Sequence, residues 1–211
     1  MPKTEPFEKY SDAYDEWFER NSDLYAMEME AIRRLIPPDG EEGMEVGVGS
    51  GKFAAPFGIR IGVEPSERMA VRARAQGIDV HQGIAEELPF PGDRFDFVLM
   101  VTTICFVDDI DMSFREVFRV LKPGGCIIVG FVDRESERGR QYTGRKEESR
   151  FYKEATFFSA QEVLTHLETA GFEITETKQT LIPGEVPETI ADGFGKGAFV
   201  AVKGVKKVPG R

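Results

Sequence analysis

The stretch Gly43 to Phe53, GMEVGVGSGKF, predicts the fold of this chain. It combines a short apolar run with an acid, Glu45, and it continues into glycines at positions 47, 49 and 51. A buried strand that enters a tight glycine turn and then a helix produces this pattern. Glycines permit positive φ and carry no Cβ, so a ligand can approach the backbone there.

The nearest alternative for this stretch is the dinucleotide fingerprint G-x-G-x-x-G, in which a helix N-terminus faces a pyrophosphate. Here the third glycine comes one residue early, and Lys52 stands where that fingerprint has glycine. The carboxylate of Glu45 would repel a pyrophosphate and would suit an ammonium group. The stretch therefore favours a nucleoside with a cationic tail over a dinucleotide.

The pattern E-x-G-x-G-x-G resembles motif I of the class I S-adenosylmethionine-dependent methyltransferases. The likeness is to their small-molecule branch, which includes the type 11 and ubiquinone-biosynthesis methyltransferases. Four further segments resemble the family in its order: EPSERM (64–69, motif II), GIAEELPF (83–90, the adenine-binding loop), RVLKPGG (119–125) and AGF (170–172). The family often has a polar residue where Ile84 stands, so the resemblance implies that backbone groups at Ala85 and Glu86 hold the adenine.

The composition is that of a soluble globular chain of 211 residues, 41% hydrophobic and 30% charged. We expect a helical lid over 1–40, one methyltransferase core over 41–205 and a flexible tail over 206–211. No apolar run is long enough to span a bilayer. Two cysteines without metal-ligand spacing indicate a reducing, cytoplasmic location, with no membrane partner. The net charge of −10 disfavours nucleic acid as substrate.

Strands that alternate with helices predict an α/β, Rossmann-like, doubly wound sheet of seven mostly parallel strands, with a C-terminal antiparallel strand. Helices are predicted at 7–20 and 23–35, with a breaker at 36–40, and a short helix is predicted at 52–57. The strand Phe95–Val101 is nearly all apolar, as a central parallel strand should be. The segments 173–181 and 197–205 should form a closing pair.

Three segments outside the strands are candidates to cover the site. Tyr10, Tyr14, Trp17 and Phe18 share one helix face, which either packs on the domain or presents rings to a sulfonium or an amine. The charged segment 133–154 is either a solvated helix–loop or a substrate lid. The long loop 182–196 is a further candidate.

Methyl transfer is an in-line displacement, which needs alignment first and a base only for a protonated nucleophile. His81 and His166 are predicted at the surface, and Cys105-Phe106 stands where relatives often place a histidine. An amine bound neutral, or an ionised thiol or carboxylate, would suit such a site better than an alcohol.

The resemblance implies S-adenosylmethionine as cofactor, S-adenosylhomocysteine as product and a small-molecule acceptor, with an amine favoured by the acidic charge and the aromatic stripe. A non-catalytic S-adenosylmethionine-binding regulatory or scaffold protein and a dinucleotide oxidoreductase stay open. No catalytic residue and no metal site is identified, and the oligomeric state is undetermined.

Residues expected near the methyl group are Thr102, Thr103, Tyr14 and Trp17. The acid that ends the second strand, Glu64, is expected to accept from the ribose hydroxyls, although an acid there could also be merely solvated. The expected cofactor-binding residues are Glu45, Gly47, Gly49, Gly51, Glu64, Pro65, Met69, Ala85, Glu86 and Val101.

Overall fold

The computed structural model describes residues 3–38, 42–182, 184, 186 and 189–207, and these form one mixed sheet with helices on both faces. The helices are Glu5–Lys9 (α1), Ser11–Arg20 (α2), Ser22–Arg33 (α3), Glu67–Ala75 (α4), Ile110–Val120 (α5), Glu137–Gly144 (α6) and Ala160–Thr169 (α7). The strands are Gly43–Val46 (β1), Ile61–Glu64 (β2), Asp79–Gln82 (β3), Phe95–Val101 (β4), Leu121–Val132 (β5), Phe172–Thr180 (β6), Ala191–Asp192 (β7) and Phe199–Lys206 (β8).

The strand order is β3-β2-β1-β4-β5-β8-β6-β7. The first five strands in this order run parallel, and β8 is antiparallel to both β5 and β6. The predicted α/β doubly wound class is confirmed, with eight strands rather than seven among the described residues. The additional strand, β7, lies in the predicted loop 182–196, where Ala191 and Asp192 pair with the edge of β6.

The core has two parts, one on each face of the sheet. Alternate residues of β4 point to opposite faces: Val98 and Met100 belong to one cluster, and Phe97, Leu99 and Val101 to the other. Both faces are covered by helices, which explains why this strand has almost no polar residue.

The N-terminal helices differ from the prediction in one respect. The helix expected over 7–20 is two helices that meet at Tyr10, where φ is −122° and ψ is 29°. The helices α1 and α2 each make their own contact with α4 or with Ser66, the residue that caps it. Glu8 of α1 accepts a hydrogen bond from the hydroxyl of Ser66 at 2.7 Å, and Asp15 of α2 pairs with Arg72. Tertiary contacts therefore override the local preference for one helix.

The short helix expected over 52–57 is also wrong. These residues form a turn followed by a single 3-10 turn, Ala55–Phe57. In an α-helix the carbonyl of Lys52 would accept from the amide of residue 56, which is proline and has no N–H. The hydroxyl of Tyr25 donates to that carbonyl instead.

The first residues of α4 and α7 agree with the prediction. Ser66 caps α4 through the amide of Met69, and Ser159 forms a capping box with Glu162 at the start of α7. The charged segment 133–154 contains α6 and a 3-10 turn at Lys146–Glu148. The strand β8 extends to Lys206, the first residue of the predicted tail.

Some predicted features lie outside the described residues. They are the boundary of the lid at 40/41, the end of the breaker at 39–40, residues 183, 185 and 187–188 of the long loop, and 208–211 of the tail. The division into lid, core and tail stays a prediction. No helix formed by the described part of the chain is long and apolar enough to cross a bilayer.

Candidate active site

A cavity of about 210 Å³ lies at the carboxyl ends of β1, β2, β4 and β5, beneath α1 and α2. This is the edge at which doubly wound sheets bind their ligands. Twelve of the fourteen residues expected near the ligand line it: Tyr14, Trp17, Gly47, Gly49, Glu64, Pro65, Met69, Ala85, Glu86, Val101, Thr102 and Thr103. The other two, Glu45 and Gly51, do not line the cavity.

The glycine turn after β1 is a cradle without side chains. The amide of Gly47 donates to the carbonyl of Val63 at 2.8 Å, which ties the turn to β2. Gly47 has a φ of +69°, and a Cβ at this position would lie 2.4 Å from Cγ2 of Thr103. Any larger residue would strain the backbone and close the space between β1 and β4. Gly51 faces away from the cavity, towards Ile78, so its role is in packing.

The carboxylate of Glu64 is fixed by two backbone amides. Oε2 accepts from the amide of Gly49 at 2.8 Å, and Oε1 accepts from the amide of Ser66 at 2.9 Å. Burial raises the pKa of Glu64 to about 7, against the opposing effect of these two amides, while the charge of Glu8 raises it further. Each carboxylate oxygen keeps a free lone pair, so the group can still accept from two hydroxyls of a ligand.

Glu45 lies behind the cavity wall and is 1% exposed. Its Oε2 has no hydrogen-bond partner among the described residues. Burial raises the pKa of this carboxyl well above its ordinary value, the Ala54 amide opposes the shift, and the charge of Glu64 adds to it. A buried carboxylate oxygen without a partner is costly, and a cation in the adjacent cavity would relieve that cost electrostatically.

The two threonines that follow β4 have different roles. The hydroxyl of Thr103 faces the backbone carbonyls of Val46 and Val101, at 3.2 and 3.1 Å, so it holds β1 against β4. Thr102 has a φ of +52°, which is rare for a β-branched residue. Its amide donates to the carbonyl of Gly130 at 2.7 Å, which holds this strained conformation in place. Such strain is typical of functional sites.

The loop after β3 borders the cavity with Gly83, Ile84, Ala85 and Glu86. The Oε1 atom of Glu86 accepts from the amides of Asp108 and Asp109, at 2.7 and 3.1 Å. The side chain of Glu86 therefore anchors the loop to the start of α5. The backbone and the apolar side chain of Ile84 are left to face a ligand.

The aromatic stripe of the N-terminal helices covers the opening of the cavity and also packs on the domain. Tyr14 and Trp17 line the cavity, and Tyr14 and Trp17 both contact Phe18 edge-on with ring centroids 5.1 Å apart. Burial, followed by the charges of Glu45 and Glu64, raises the pKa of Tyr14 well above its ordinary value. Tyr10 lies at the junction of α1 and α2 and does not line the cavity.

A second part of the cavity lies beyond the glycine turn, and none of its residues was predicted from the sequence to contact a ligand. It is formed by rings and by two opposite charges: Phe7, Phe106, Phe151, Tyr142, Tyr152, Glu28 and Arg138. Tyr142 and Tyr152 stack with centroids 5.2 Å apart. The segment 133–154 supplies four of these residues, and whether it is a substrate lid stays a prediction.

Glu28 could have been found from the sequence. In α3 it precedes Ala31, Ile32 and Leu35 by three, four and seven residues, and all three are buried. A glutamate on the apolar stripe of an amphipathic helix is unusual enough to mark a functional candidate.

Neither histidine lines the cavity. His166 contacts Asp111 on the outside of α5, with Nδ1 and Oδ1 2.7 Å apart, and His81 packs edge-on against Phe90. Both cysteines are free, and no group of three or more His, Cys, Asp or Glu in the described part of the chain could hold a metal ion.

Comparison with known proteins agrees with this geometry. A family described as "Methyltransferase domain" matches residues 44–129. An S-adenosylmethionine-dependent methyltransferase of Thermotoga maritima, described as a "possible histamine N-methyltransferase", has a similar structure with a TM-score of 0.92. It is 47% identical, over 97% of this chain and all of that one.

Two curated relatives are also similar. An uncharacterised protein of Methanocaldococcus jannaschii is 42% identical over 95% of this chain and 98% of its own length. A ubiquinone biosynthesis O-methyltransferase of Azorhizobium caulinodans is 28% identical over 68% of this chain and 63% of its own length.

Proposed function

Because the chain belongs to the S-adenosylmethionine-dependent methyltransferases, we propose that it methylates a small molecule at an amine nitrogen. The observation that carries this proposal is the second part of the cavity, where aromatic rings and the buried carboxyl group of Glu28 line the same space. Rings and a carboxylate bind cationic nitrogen through cation–π and ionic contacts. The "possible histamine N-methyltransferase" of Thermotoga maritima supports the same class of acceptor.

The residues of the first part fit S-adenosylmethionine, which when bound supplies an electrophilic methyl group on a sulfonium. Glu64 would accept from the ribose hydroxyls, because two amides already fix its orientation. Gly47 and Gly49 present backbone to the cavity, where the amino-acid tail is expected, and its ammonium would favour the ionised form of the buried Glu45, whose Oε2 has no partner among the described residues. Ala85 borders the place expected for the adenine.

The contribution of the protein to the reaction is alignment and exclusion of water. Tyr14 and Trp17 line the cavity from α2. Asp15 accepts from the hydroxyl of Ser50 at 2.6 Å and pairs with Arg72, so α2 is held closed over the glycine turn. Holding the reactants in line supplies much of the acceleration of a displacement.

The alternative functions receive less support. A scaffold protein that only retains the cofactor pocket would not need an acceptor cavity, and the rings and Glu28 that line the cavity support an enzyme instead. A dinucleotide oxidoreductase is disfavoured by the buried Glu45 beside the glycine turn. The two free thiols and the net charge of −10 support a cytoplasmic enzyme that does not act on nucleic acid.

The proposal is tested first by titration calorimetry with S-adenosylmethionine, S-adenosylhomocysteine and NAD. Wild type should bind both adenosyl ligands at micromolar concentrations, and Glu64→Ala should weaken binding by about 1–3 kcal/mol through loss of charge-assisted hydrogen bonds. Glu67→Ala is the matched control, because that glutamate lies three residues away and is exposed. Tighter binding of NAD than of either adenosyl ligand would refute the cofactor assignment.

Acceptor chemistry is tested with methyl-labelled S-adenosylmethionine and separate sets of amines, thiols and carboxylic acids. Histamine belongs in the amine set because of the Thermotoga relative. Labelled product from amines alone is the expected result. Product from thiols or acids alone would leave the methyltransferase assignment standing and refute the amine.

A further inference from the structure

Glu28 is a buried acid that faces the second part of the cavity and has no structural partner. It is 5% exposed and lines the cavity from α3. No hydrogen bond or ion pair joins its carboxylate to any group in the described part of the chain. Buried carboxylates with a structural role are normally satisfied by several such contacts.

The groups that face Glu28 come from three segments. Arg138 and Tyr142 lie on α6, Tyr152 lies in the segment after it, and Tyr25 lies one turn earlier on α3. Of these, only Arg138 carries a charge at neutral pH, and it acts on Glu28 from a distance without forming an ion pair. Glu28 and Arg138 both line the cavity. The carboxylate is therefore available to a ligand.

We propose that Glu28 binds a protonated nitrogen of the methyl acceptor, distinct from the neutral nitrogen that receives the methyl group, and so selects cationic acceptors over neutral or anionic ones. The inference rests on the proposed function, whose acceptor class it makes specific. The rings of Tyr142, Tyr152 and Phe106 line the same cavity and form one stacked group, with Tyr152 against both of the others. The outer rings of such a group can contact a cation. Arg138 also lines the cavity, and its positive charge disfavours a second cation.

Binding at this carboxylate has a measurable consequence for protons. Burial raises the pKa of Glu28 to about 8, and the charge of Arg138 only partly opposes this. At pH 7 the empty site is therefore mostly protonated, whereas a bound ammonium group stabilises the ionised carboxylate. Binding of a cation should release close to one proton to the buffer, and binding of a neutral molecule should release none.

The test uses three probes that share a phenyl ring on a short chain: 2-phenylethylamine, 2-phenylethanol and 3-phenylpropionate. Each is titrated into protein saturated with S-adenosylhomocysteine, so that only the acceptor part is free. Binding is followed by the fluorescence of Trp17, the single tryptophan of the chain, which lines the cavity. Calorimetry at pH 7 in two buffers of different ionisation enthalpy counts the protons released.

Wild type should bind the amine roughly 10- to 100-fold more tightly than the alcohol, with release of about one proton. Glu28→Gln should lose both the preference and the proton release while still binding S-adenosylhomocysteine, which shows that it is folded. Glu30→Gln is the matched control, because this glutamate lies on the same helix with a 42% exposed side chain. It should behave as wild type.

Three results would overturn the inference: equal binding or no binding of the three probes, preference for the carboxylate, or an unchanged amine preference in Glu28→Gln. Preference for the carboxylate, lost in Arg138→Gln, would assign the site to an anionic acceptor. These results can be distinguished from failure of the proposed function. That failure would appear in the earlier experiments, as absence of cofactor binding or of any methylated amine.

Discussion

Replacement of Glu28 by glutamine should stabilise the empty protein at alkaline pH, although the same change removes the carboxylate proposed to bind the acceptor. Burial raises the pKa of Glu28 from 4.5 to about 8. Between these two values the folded protein keeps a proton that the unfolded chain releases, so the stability of wild type falls as the pH rises through this window. The loss is complete above about pH 8.

The magnitude follows from the size of the pKa shift. Each unit corresponds to about 1.4 kcal/mol, so ionised Glu28 costs up to roughly 5 kcal/mol relative to a neutral side chain of the same shape. Wild type and Glu28→Gln should therefore have nearly equal free energies of unfolding near pH 4.5. Glu28→Gln should become increasingly more stable than wild type up to pH 9.

Urea unfolding of ligand-free protein at about pH 5, 7 and 9 measures this difference. Glu45 and Glu64 have raised pKa values in both proteins. Their contributions to the pH dependence of the free energy of unfolding are therefore the same and cancel in the difference between wild type and Glu28→Gln. Glu30→Gln, on the exposed side of α3, should change the free energy of unfolding by less than about 1 kcal/mol at every pH. Parallel pH profiles for wild type and Glu28→Gln would refute the reasoning, because they would mean that Glu28 is hydrated or paired in the folded protein.

Two further predictions concern the cofactor part of the site. Gly47→Ala should abolish detectable binding of S-adenosylhomocysteine in calorimetry, because its Cβ would lie 2.4 Å from Thr103 at a φ of +69°, whereas Gly144→Ala, with open space around it, should bind normally. Normal binding of S-adenosylhomocysteine by Gly47→Ala would show that the glycine turn does not form the cofactor site. Arg72→Gln should speed dissociation of S-adenosylhomocysteine about two- to fivefold in stopped-flow fluorescence, because a partly exposed pair with Asp15 that holds α2 closed is worth about 0.5–1 kcal/mol. An unchanged rate would mean that α2 does not open for release.

The cofactor end of the site could be predicted because it depends on local sequence. Gly47 and Gly49 adopt positive φ directly after β1, and Glu64 ends the neighbouring strand. Parallel strands bring their carboxyl ends to the same edge, so the spacing in sequence places these residues together. Glu45 is the exception. It was expected beside the ligand, but it lies within β1, is buried and does not line the cavity.

Two errors in the helices have one cause, which is that a contact distant in sequence replaced a local hydrogen bond. The carbonyl of Lys52 meets the hydroxyl of Tyr25 because Pro56 cannot donate to it, and no α-helix forms there. The first helix is divided at Tyr10 because Glu8 and Asp15 are held by different residues of α4. Propensity within a short window does not include such contacts.

The sequence by itself determined the α/β class, the family and the cofactor of this protein. Glycine geometry and the alternation of strands and helices are properties of the chain over a few residues, and they are readable before it folds. Only the tertiary structure brought Glu28, Arg138 and Tyr152 to the lining of one cavity, although Glu28 and Arg138 are more than a hundred residues apart in sequence. The physical reason is burial: removal from water raises the pKa of Glu28, and packing of the whole chain sets that burial.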